Sequence, residues 1–93
     1  MANIAHLTID TRGHYVNLED LIMEQDPTFA FVDGVTYTIQ SQGNHHCILC
    51  EASERPDKGG FVLSQRPVKY VCNTNYNLYI KSFGAHTVIN IAE

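Results

Sequence analysis

The chain is 93 residues long and 44% hydrophobic, with 10 Asp and Glu against 6 Lys and Arg, a net charge of −4. That length holds one domain with one small core, a size class that buries about 60–65% of the surface its unfolded chain exposes. The acidic balance disfavours nucleic acid, whose phosphates demand a cationic footprint, and no apolar run approaches the ~18–20 residues that cross a bilayer, so neither nucleic acid nor membrane is an expected partner.

The chain opens on Met1-Ala-Asn-Ile-Ala-His6, which lacks the basic-then-apolar order of a secretory signal, so none is expected. Ala5, Leu7 and Ile9 then alternate with His6, Thr8 and Asp10, the period of a half-buried strand. A turn follows over 11–14. The only helical candidate is Asn17 to Glu24. Asn17 is a favoured N-cap, Glu19 and Asp20 occupy the first turn, where carboxylates suit the helix dipole, and Leu18, Leu21 and Ile22 fall at i, i+3, i+4. Pro27 ends the segment. A helix of about two turns needs tertiary packing to persist.

From Thr28 onward the period is two. Strands are expected over 28–32, 35–41, 45–52, 61–63, 68–72, 76–81 and 87–91, divided by Asp33-Gly34, Gln42-Gly-Asn44, a loop over 53–60, Asn73-Thr-Asn75 and Phe83-Gly84. Tyr79 is expected to point outward between Leu78 and Ile80. Turn signals about every 8–12 residues predict an all-β fold, a small antiparallel β-sandwich or partly closed barrel of seven or eight short strands with one short helix. No βαβ rhythm is present. The expected core is Tyr37, Ile39, Leu49, Leu63, Leu78, Ile80, Ile89 and Ile91. Residues 1–93 read as a single domain, with 1–9 as an N-terminal strand or arm.

Three cysteines, Cys47, Cys50 and Cys72, are an odd number without paired spacing and read as reduced thiols of a protein made in a cytoplasm. The sharpest local feature is His45-His46-Cys47-Ile48-Leu49-Cys50, whose Cys-x-x-Cys pair and histidines are of zinc-ligand type. On a strand, however, i and i+3 face opposite sides, and His46 and Cys50, which share a face, stand about 13 Å apart at ~3.3 Å per residue. Neither a metal nor any other cofactor is expected, and the same geometry disfavours a redox dithiol. Pairings of the thiols with His6, His14, His45, His46 or His86 form no nucleophile motif, and neither a P-loop nor a His-Glu-x-x-His zinc motif occurs. The chain is therefore not expected to be an enzyme. Tyr15, Tyr70, Tyr76, Tyr79 and Phe83 are of stacking type, but without a basic stripe or tryptophan they read as protein-interface anchors rather than a base or sugar platform. The candidate interface residues are Ile4, Leu7, Ile9, Tyr15 and Tyr79.

A run of features across about two-thirds of the chain resembles small virion proteins of tailed bacteriophages, of the capsid decoration (cement) or head accessory type. It comprises Gly34-Val-Thr-Tyr37-Thr-Ile39-Gln40-Ser-Gln-Gly43, Leu49-Cys-Glu51-Ala52-Ser53 with Pro56, Gly60-Phe-Val-Leu63, Asn77-Leu78-Tyr79 and the closing Thr87-Val-Ile-Asn-Ile91-Ala-Glu93. The first 30 residues lie outside the resemblance, and the His-His-Cys strand departs from its usual apolar, thiol-free pattern. The resemblance implies a β-sandwich that binds a capsid or tail surface, with no catalytic residues. The expected partner is a major capsid protein or another virion protein, with a homo-oligomer, a trimer in first place, seated on the particle assembled in the host cytoplasm. Two alternatives stay open: a tail, baseplate or fibre-attachment component, and a small glycan-binding β-sandwich module. Copy number on purified particles separates the structural readings from the ligand-binding one.

Overall fold

The computed structural model describes residues 3–11, 13–42, 47–64, 66–83 and 87–93, with the backbone alone over 3–6. Its elements are β1 (Asn3–Ile9), β2 (Val16–Asn17), α1 (Leu18–Gln25), β3 (Thr36–Gln42), β4 (Cys47–Ala52), β5 (Phe61–Leu63), β6 (Val68–Val71), β7 (Asn77–Ser82) and β8 (Thr87–Ala92). Two antiparallel four-stranded sheets, ordered β1-β8-β3-β6 and β2-β7-β4-β5, make a small β-sandwich.

The alternation of side chains along each strand builds the core. In the first sheet Tyr37 lies opposite Tyr70, and Ile39 lies between Val68 and Ile91. In the second, Leu49 lies between Phe61 and Ile80. All eight expected core residues are buried in one cluster between the sheets. The helix starts where expected: Asn17 Oδ1 accepts the Glu19 N–H at 2.9 Å and the Asp20 N–H at 3.4 Å. Leu18 and Ile22 enter the same core, with Leu21 half-buried beside them, and α1 packs on β7, β1 and β2. Burial of this apolar stripe supplies what two helical turns lack by themselves.

A pair of hydroxyls joins the connection after β1 to the end of β7. The Thr11 N–H donates to Ser82 Oγ at 2.8 Å and the Ser82 N–H donates to Thr11 Oγ1 at 2.6 Å, both residues being buried. Each hydroxyl thus satisfies a backbone donor that burial removes from water.

Two sequence expectations are corrected. The strand expected over 28–32 is irregular chain, because side chains take the donors that a ladder would use. Thr28 N–H goes to the Asp26 carboxylate, Phe31 N–H to Glu19 Oε2 and Val32 N–H to Tyr37 Oη. Tyr76, where the strand expected over 76–81 was to begin, is instead exposed in the turn before β7, where its N–H bonds Asn73 O. The two-residue β2, too short to show a period, pairs Val16 with Ile80 and Asn17 with Tyr79. Residues 1–9 are expected to be an N-terminal strand or arm. Their described part, β1, pairs with the chain's own β8 from Asn3↔Ala92 to Ile9↔Thr87, and Leu7 and Ile9 are buried in the core.

Candidate functional site

Two surfaces gather chemistry-bearing side chains. The first is the outer face of the β2-β7-β4-β5 sheet. Because Leu49 and Ile80 point into the core, their neighbours Ile48, Cys50, Tyr79 and Lys81 point out. The register sets Val62 beside Ile48 and Ile48 beside Lys81, a row across three strands. Lys81 Nζ lies 4.7 Å from the Tyr15 ring centroid and 5.7 Å from that of Phe83. Val62 and Phe83 are 58% and 62% exposed.

Tyr15 and Tyr79 were expected to be exposed anchors on this face. Tyr79 does point away from the core, but the two are only 3% and 9% exposed. The Tyr15 hydroxyl, coming from the β2 edge, donates to the Gly59 carbonyl before β5, so the ring lies across the outer face and over its neighbours. Burial there, followed by the nearby Cys50, pushes the Tyr15 phenol up. Leu7 and Ile9 are core residues, and the Ile4 side chain lies outside the described residues. Of the five candidate interface positions, none is therefore seen as an exposed side chain. The apolar residues that are exposed on this face, Val62 and Phe83, sit in a short edge strand and at a strand end, and neither position has a periodicity to mark it.

Cys47 and Cys50 fall on opposite faces, as expected of a strand: Cys47 is buried in the core and Cys50 is half-buried outside it. All three thiols are free. Burial pushes the Cys47 thiol up to about 11. His45, His46 and His86 lie outside the described residues. Among the described residues no group of three His, Cys, Asp or Glu side chains is placed to hold a metal ion.

The second surface is a cleft of about 230 Å³ at the end of the sandwich, where α1 begins and the chain turns from β6 to β7. Asn17 and Glu19 line it from the helix start, Phe31 from the irregular segment, and Tyr70, Cys72 and Tyr76 from β6 and the turn. The Phe31 ring meets the Tyr37 ring edge-on at 4.9 Å and the Tyr70 ring at 5.8 Å, which fixes the wall. Tyr70 is pushed well above the ordinary phenol range by burial, then by the nearby Cys72 and Glu51, with its hydrogen bond to Glu51 adding to the rise and the Asn73 backbone opposing it. Burial also raises the Cys72 thiol; its bond to Tyr70 opposes this, while Asp33, Glu19 and Glu51 add to it. Both groups are thus held towards their protonated forms. Tyr70 and Tyr76 had been singled out as aromatics. Their meeting with Glu19 and Cys72 spans more than fifty residues of chain and leaves no local pattern.

No family model, curated protein or solved structure matches the chain.

Proposed function

We propose that the chain is a non-enzymatic structural protein of a tailed-phage particle, a decoration (cement) protein that stabilises the head by binding capsomers as a homotrimer. The sequence resemblance supplies the kind of particle and, through the threefold sites of capsid lattices, the trimer. The observation that carries docking is the row Val62–Ile48–Lys81 with Phe83 beyond its strand end, which leaves Val62 and Phe83 open to solvent beside the half-buried Ile48. Exposed apolar groups clustered this way are what protein contacts bury.

Particles banded on a density gradient and quantified by mass spectrometry should carry the chain in high copy, with the heads and not the tails. The double variant Val62→Asp, Phe83→Asp changes only exposed positions, so its melting temperature should hold while its occupancy on heads collapses. Absence of the wild-type chain from heads, or full occupancy by the double variant, overturns the proposal.

A further inference from the structure

The end cleft is acidic and aromatic at once. Phe31, Tyr70 and the 46% exposed Tyr76 contribute three rings, and Glu19 contributes a carboxylate. Glu19 Oε2 accepts the Phe31 N–H at 2.8 Å, which ties the carboxylate to the aromatic wall. A carboxylate has lone pairs for several donors, so this bond leaves it able to accept more. Neither Lys nor Arg lines the cleft among the described residues, and the charged side chains that act on Cys72 from its surroundings are Asp33, Glu19 and Glu51. At about 230 Å³ the space falls below the about 300–1,000 Å³ of sites for drug-sized ligands. It suits a single long side chain.

We propose that this cleft receives one cationic side chain, an arginine guanidinium or a lysine ammonium, from the protein on which the domain docks. Ring faces attract a cation through their quadrupoles, and the half-buried Glu19 carboxylate gives it a charge-assisted acceptor. The net charge of −4 makes a cationic surface the complementary partner. The partner as source of the cation rests on the docking reading above; the cation site itself rests on the cleft.

The test is an NMR titration of the purified protein with acetyl-arginine amide, acetyl-lysine amide and, as the neutral isostere, acetyl-citrulline amide. The two cationic probes should shift the signals of Glu19, Tyr70 and Tyr76 saturably, and the citrulline probe should leave them in place. Glu19→Gln keeps an acceptor for the Phe31 N–H and removes the charge, while Tyr76→Ala alters an exposed ring. Each should weaken the cationic probes by roughly two- to five-fold and lower occupancy on heads. Citrulline binding as well as arginine, or no saturable shift with either cation, overturns the cation site even if the chain decorates heads. Unchanged head occupancy in both variants overturns the partner's side chain as the occupant. Arginine binding by a chain that is absent from heads supports the cation site and overturns the docking reading alone.

Discussion

Gly60 adopts φ +100, and a Cβ placed there would stand 2.3 Å from the Leu49 carbonyl oxygen and 2.8 Å from Ile48 Cγ2. Gly59 has nearly the same φ, +99, with open space around it. Gly60→Ala therefore meets both backbone strain and a clash against β4, and Gly59→Ala meets the strain alone. Urea unfolding should show a loss of about 1–3 kcal/mol for Gly59→Ala and a larger one for Gly60→Ala; equal losses would mean that β4 yields freely. The buried thiol makes a second prediction at this scale. Cys47 is raised from 9.0 to about 11 by burial, so between those values the unfolded chain has released a proton that the folded chain still holds. Its contribution to stability is complete below about pH 9 and is lost as pH rises towards about 11. Tyr70 and Cys72, also raised, act in the same direction. The urea midpoint should fall across that window and fall less in Cys47→Ala; a flat profile contradicts the burial.

Among the elements, α1 and β7 illustrate two kinds of support. The helix depends on the Asn17 cap and on burying Leu18 and Ile22, whereas β7 lies between β2 and β4 with Ile80 in the core. Asn17→Ala should cost about 0.5–2 kcal/mol and Ile80→Ala about 2–5 kcal/mol, because truncation at a packed site leaves a cavity. Thermal unfolding that ranks them the other way would place the main support outside the core. Strands with sustained alternation, such as Thr36–Gln42 and Thr87–Ala92, were legible because every second residue meets the opposite sheet. The segment 28–32 misled because its aromatics are buried at Phe29 and half-buried at Phe31, a strand-like pattern, while its backbone bonds to Asp26, Glu19 and Tyr37.

For the molecule as a whole, a domain of 93 residues has a modest stability margin that burial against a partner would enlarge. Because β1 lies in its own sheet, lending it to a neighbour would require exchange between copies, with Leu7 and Ile9 leaving one core for another. Contact through the outer face of the second sheet needs no such exchange. Sedimentation of the purified protein should give three chain masses, reduced to one in Val62→Asp, Phe83→Asp if that face also joins the copies. A wild-type monomer at every concentration overturns the trimer.

The sequence by itself determined the β class, the helix start at Asn17 and the eight core positions, because period, cap and burial are local or one-dimensional signals. Only the tertiary structure decided which polar and aromatic groups meet. Tyr15 reaches Gly59 across a sheet, Thr11 clasps Ser82, and Glu19 joins Phe31 at the wall of a cleft shared with Tyr70 and Cys72. These contacts follow from how two sheets stack and where a short helix closes them, so no stretch of chain carries them on its own. The same stacking turned Tyr15 and Tyr79 from expected surface anchors into buried rings, and left Val62 and Phe83 exposed instead.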